Sequence, residues 1–175
     1  MNDTTKPPAA AAAPGPVAGI VVTLIAVLII VAWIALGLTV LHLHDTSLVG
    51  GFLLLYYWAN NGQLEIKQLP AAIVGGLVGI FLAWFVVYAT VRWGNPGLAL
   101  ALALFVLALY LDVIKAVPAV VNTSTMLYLT VAAAPLVQLR VDWQERVIAT
   151  VIGGLFFGLV VEGLKRAAAR FAPAG

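Results

Sequence analysis

The sequence predicts an all-α, polytopic integral membrane protein: six transmembrane helices arranged as two inverted three-helix repeats. Three observations carry that expectation. The 175 residues are 63% apolar and only 9% charged, whereas a water-soluble domain needs roughly a quarter of its residues charged. The apolar residues gather in runs of about 14 to 25, the length a helix needs to cross a hydrocarbon core of roughly 30 Å. A membrane barrel would instead show alternating strands of about 10 residues, and no such alternation is present. Finally, the order of features in the first half of the chain recurs in the second.

Residues 1–16, MNDTTKPPAAAAAPGP, are a Pro/Ala-rich stretch that cannot pack a core and is expected to be disordered. Val17–Leu41 follows as the first helix. It is too long for a signal-peptide core, and no small-x-small cleavage site follows it. The second helix, Thr46–Asn60, is short: at 1.5 Å per residue it reaches about 22 Å, less than the core. The connector NGQLEIKQ, residues 61–68, has Asn-Gly turn chemistry and a Glu/Lys pair that should meet water. The third helix, Leu69–Arg92, opens with Pro70 in its first turn, where the missing N–H costs little. Trp84, Tyr88 and Trp93 suit an interfacial belt, with Arg92 snorkelling beside them.

Asn95-Pro96-Gly97 reads as a turn dividing the chain in half. Beyond it the fourth helix is expected over Gly97–Ile114 and the fifth over Pro118–Val137, polar at its start and interrupted by Pro135. A second wet connector covers Gln138–Arg146, and the last helix, Val147–Val161, continues into an amphipathic tail carrying Glu162, Lys165, Arg166 and Arg170. Sliding the halves together so that Gly97 falls on Gly19 needs no gap. Thr46-Ser47 then meets Ser124-Thr125, and Gly75-Gly76-Leu77 meets Gly153-Gly154-Leu155. The repeats are residues 17–93 and 94–170, with a short tail at 171–175. Three helices per repeat is an odd number, so the second copy must lie upside down. With the N-terminus inside, the inner segments hold Lys6, Lys67, Lys115, Lys165, Arg166 and Arg170, against Arg92, Arg140 and Arg146 outside. The positive-inside rule therefore favours both termini in the cytoplasm.

This pattern resembles a small bacterial inner-membrane family of unknown function with six helices and about this length. The matching residues are Gly50-Gly51-Phe52 with Tyr57-Trp58-Ala59, then Gly75-Gly76 with Gly79. They continue with Pro118 and Asn122-Thr123-Ser124, and end with Gly153-Gly154 and Gly158. More distantly, Arg146-x3-Thr150-x2-Gly153 resembles a signature in the membrane half of fusaric-acid-resistance and aromatic-acid-exporter proteins, over one helix only. The first half lacks the Arg and Thr, and the chain lacks those exporters' cytoplasmic domain. The resemblance implies a fold and a place in the bacterial cytoplasmic membrane more than an activity.

Each polar group has a structural reading beside a functional one. Gly75, Gly76, Gly79, Gly153, Gly154 and Gly158 can let helices approach closely or can line a narrow passage. His42, His44 and Asp45 can cap a helix or handle protons. No further histidine is present to complete a metal site, and no cofactor is implied. Thr46, Ser47, Asn122, Ser124 and Thr125 occupy matching places in the two halves. They can cap helices, bond between them, or with Tyr57 and Tyr128 line a solute path. Asp112 and Lys115, three apart, are an interfacial anchor pair or a second proton-handling candidate.

Zero cysteines exclude disulfides and thiol chemistry. The HExxH, GxSxG and Walker patterns are missing, which argues against an enzyme. A net charge of +2 without basic clusters argues against nucleic acid. The expected function is a channel or secondary transporter for a small neutral or weakly charged solute, embedded in the lipid bilayer. Six helices are few to enclose a route, so a homo-oligomer is expected. The alternative is a non-catalytic membrane subunit that docks a partner through its glycine-rich faces.

Overall fold

The structure is a computed structural model that describes residues 16–134 and 142–171; the expectations for residues 1–15, 135–141 and 172–175 lie outside it. Every regular element among the described residues is helical. They are α1 (Pro16–Thr39), α2 (Asp45–Asn61), a 3-10 turn (Ile66–Gln68), α3 (Leu69–Trp93), α4 (Asn95–Val113), α5 (Thr123–Ala132) and α6 (Trp143–Phe171). Four of them, α1, α3, α4 and α6, are long and apolar enough to cross a membrane. At 17 and 10 residues, α2 and α5 are shorter than a span.

Three helix starts differ from the sequence expectation, each for a local reason, and the fifth helix also ends at Ala132, short of the expected Val137. The mid-chain turn is made at Gly94, whose φ of 63° favours glycine, and Asn95-Pro96-Gly97 open α4 instead. Pro96 sits in the first turn, where no hydrogen bond is lost. The fifth helix begins at Thr123, not Pro118. Asn122 caps it by accepting from the Ser124 N–H, while Thr125 Oγ1 accepts from the Asn122 N–H. The last helix begins four residues before the expected Val147. Asp142 Oδ1 accepts from the N–H groups of Gln144 and Glu145, which nucleates the helix at Trp143. That helix then runs unbroken through the amphipathic tail, where Glu162 pairs with Arg166 at 3.1 Å.

The helices pack in two crossed pairs. α3 lies along α5, with Ser124 against Ala72 and Leu129 against Gly79. α6 lies along α2, with Glu145 against Ser47 and Gly154 against Leu54. In both pairs contacts advance along the two chains together, so the partners run in the same direction. α3 and α6 also touch each other, and α4 packs on α3.

One core cluster joins Trp33, Leu54, Trp58, Tyr128 and Phe157 between α1, α2, α3, α5 and α6. A smaller cluster joins Leu82 and Ala83 of α3 with Ala108 of α4 and Leu129 and Ala132 of α5. Trp33 is fully buried, and its ring packs beside Phe156 and Phe157. The outer faces of α1 and α4 stay uncovered: Ile20, Leu28, Val106 and Val113 are all more than half exposed.

Close approach explains the glycines. A Cβ on Gly79 would fall 2.5 Å from the Thr125 carbonyl oxygen, and one on Gly153 would fall 2.8 Å from the Gly51 Cα. Gly75 faces the Asn122 amide and Gly76 the Tyr128 ring. Gly154 faces Leu54 and Ile73, and Gly158 faces Leu69. Small residues set the spacing of both crossed pairs, as expected where dispersion and backbone proximity dominate.

Candidate functional site

The polar side chains collect where α2, α3, α5 and α6 cross. Buried there are Ser47, Asn122, Ser124, Thr125, Arg146 and Thr150, with the Tyr128 hydroxyl among them. Gly50 of α2 is the meeting point: its carbonyl accepts from the Tyr128 hydroxyl of α5. A Cβ on it would lie 2.8 Å from Thr150 Oγ1 and 3.3 Å from the Arg146 carbonyl oxygen, both of α6. Only a residue without a side chain lets three helices converge here.

Most of these groups are spent on the protein itself. Asn122 Nδ2 donates to the carbonyls of Ala71 and Pro118 at 3.0 Å each, and Ser124 Oγ donates to the Ala72 carbonyl at 2.9 Å. The bonds to Ala71 and Ala72 tie the start of α5 to the first turn of α3, and the bond to Pro118 holds the loop before α5. Thr150 Oγ1 donates back to the Arg146 carbonyl, one turn earlier. In an apolar surround each bond removes a polar group that would be costly to leave unpaired.

Glu145 forms a second centre. Its carboxylate accepts from the His44 N–H at 2.9 Å and from Ser47 Oγ at 3.0 Å, and it lies 2.9 Å from His44 Nδ1. This latch fastens the start of α2 to the start of α6. His44 is exposed, and its pKa is raised, first by the hydrogen bond to Glu145 and then by that carboxylate's charge. Ser47, placed by its sequence pattern on a solute path, is here a ligand of Glu145.

The remaining sequence candidates are dispersed. His42 lies in the α1–α2 loop with a φ of 51° and is exposed. Asp45 Oδ1 accepts from the Thr46 N–H in the first turn of α2. Thr46 and Tyr57 are half-buried on α2. Asp112, in the last turn of α4, and Lys115, just past its end, form an ion pair at 2.9 Å.

Arg146 is the residue that sequence reasoning misplaced. Expected in a wet connector on the outer side, it lies in the first turns of α6 and is only 3% exposed. Among the described residues its Nε finds no hydrogen-bond partner and its charge no ion-pair partner. The signal that could have found it is Asp142-x-x-Glu145, an acidic capping pattern that starts the helix before Arg146.

No protein-family model matches the chain, and no curated protein or solved structure matches it either.

Proposed function

We propose that this chain is an integral protein of the bacterial cytoplasmic membrane, built from two inverted three-helix units that pass a small solute between them as a channel or secondary transporter. Four long apolar helices and the bare apolar flanks of α1 and α4 support the membrane setting. The pairing of helices supports the duplication. In the sequence register that lays Gly97 on Gly19, α3 with α5 exchanges with α6 with α2, and both pairs run parallel. Gly50 and Tyr128 are matching positions in that register, and they touch, as residues beside a twofold axis do. Six crossings that alternate in direction also require α2 parallel to α6 and α3 parallel to α5. Membership of the small six-helix family belongs to the same proposal, carried by the Gly75, Pro118 and Gly153 motifs.

The observation that carries transport is Arg146. It is buried with no counter-charge among the described residues; a buried charge left so costs several kcal/mol, and an ionisable residue inside a membrane helix bundle is a pathway candidate by default. The path runs beside Ser47, Gly50, Tyr128, Arg146 and Thr150, while Asn122, Ser124 and Thr125 hold α5 against α3. A homo-oligomer would complete the enclosure of so small a bundle.

The alternative, a non-catalytic subunit, is favoured by one observation: the hydroxyls at the crossing donate to backbone carbonyls and leave few donors for a solute. Flux separates the two. Proteoliposomes loaded with a panel of small neutral solutes and weak acids should leak or swell faster than empty vesicles for at least one of them. Equal rates for every solute would sink the transport reading.

A further inference from the structure

We propose that Arg146 is an oxyanion-binding site whose ligand is a small monovalent carboxylate, held by the guanidinium at the α2–α5–α6 crossing. The inference deepens the transport reading and rests on it only for its consequence, because the site itself is defined by the charge left open inside the protein.

The carboxylates that could neutralise Arg146 are engaged elsewhere. Glu145, its neighbour in sequence, turns to α2 and holds His44 and Ser47. Asp142 caps α6, Asp112 pairs with Lys115, and Glu162 pairs with Arg166. The hydroxyls nearest in the fold do not serve the guanidinium either. Thr150 donates to the Arg146 carbonyl, and Tyr128 donates to the Gly50 carbonyl. Among the described residues Arg146 is therefore a buried cation with an unused N–H, on the helix turn that meets α2 at Gly50.

A guanidinium presents a planar fork that matches the two oxygens of a carboxylate, and the bond is stronger in a low-dielectric surround. One positive charge selects one negative charge: a dianion would bring a second, uncompensated charge into the interior. The start of α6 adds the positive end of its dipole nearby. A free carboxylate and the phosphate of an anionic lipid headgroup share this oxyanion chemistry.

The test is calorimetric titration of acetate and benzoate into the full chain in neutral-detergent micelles, with inorganic phosphate near pH 8 as the dianion. The same titrations are repeated with phosphatidylglycerol present. Arg146→Met, which keeps the stem and removes the charge, and Arg146→Lys, which keeps the charge and removes the fork, are run beside it. Thermal melting checks that both variants fold. The proposal expects carboxylate binding that weakens at least tenfold in Arg146→Lys and at least a hundredfold in Arg146→Met, with phosphate weaker than acetate. Competition by phosphatidylglycerol that vanishes in Arg146→Met identifies a headgroup as a second source of the same chemistry and supports the site. Carboxylate binding unchanged in a folded Arg146→Met, or no binding and no competition in the wild type, overturns it. Acetate binding without flux leaves the oxyanion site standing and removes transport; flux of neutral solutes unaltered by Arg146→Met, without anion binding, does the reverse.

Discussion

Replacing Gly79 by Ala tests whether close backbone approach holds α3 to α5. The added methyl would sit 2.5 Å from the Thr125 carbonyl oxygen, 2.8 Å from the Tyr128 Cβ and 2.9 Å from the Leu129 N. Two of those three atoms are backbone of a helix pinned by Asn122 and Ser124, so no side-chain rotation relieves the clash. α5 must retreat by several tenths of an ångström. Overpacking of this kind costs about 1–3 kcal/mol, set against about 1 kcal/mol gained when Ala replaces Gly in a helix. Gly163→Ala is the control: it gains the same helix propensity, and its Cβ meets nothing within 4 Å. At Gly158 the nearest obstacle is the tip of Leu69, 2.6 Å away, which can rotate. Reversible unfolding in mixed micelles, followed by tryptophan fluorescence, should rank Gly163→Ala above wild type, Gly158→Ala near it and Gly79→Ala below it. A Gly79→Ala protein as stable as Gly163→Ala would refute the reasoning.

The His44–Glu145 latch has a defined pH sign. Glu145 raises the His44 pKa above 6.5, with smaller contributions from Asp45 and Asp142. The stabilisation is therefore complete below 6.5 and fades as pH rises through the higher folded value. NMR titration should show the His44 pKa raised in the wild type, and Glu145→Gln should lower it; an unmoved His44 would discard the latch. Tyr128→Phe removes a buried hydrogen bond to a carbonyl that is still bonded within α2, so a loss of about 0.5–1.5 kcal/mol in the same unfolding assay is expected. Asn122→Ala strips the α5 cap and the tie to Ala71 together and should cost more, about 2 kcal/mol or above. Asp112→Asn breaks an ion pair whose lysine is 61% exposed and should change stability by less than about 1 kcal/mol.

The sequence by itself determined the helical class, because only long apolar runs with sparse charge satisfy both length and composition. It also placed α2 within a residue at each end, since the polar Thr46-Ser47 and Asn60-Asn61 flank the apolar run between them. One ungapped register lays Gly75-Gly76 on Gly153-Gly154 and Thr46-Ser47 on Ser124-Thr125. The sequence misjudged the starts of α5 and α6, where Asn122 and Asp142 override the hydropathy pattern through hydrogen bonds made only when the backbone turns.

What only the tertiary structure decided is which polar groups are spent and which stay open. Ser124 and Asn122 look like path-lining residues until Ala71 and Ala72 are brought beside them, 51 and 52 residues away in the chain. Glu145 has no visible partner in sequence, yet His44 and Ser47 reach it across about a hundred residues. Arg146 reads as a solvated connector charge because burial belongs to the packed helices, not to the residue. Hydropathy is a local property; the neutralisation of a charge depends on what the fold carries to within about 4 Å of it.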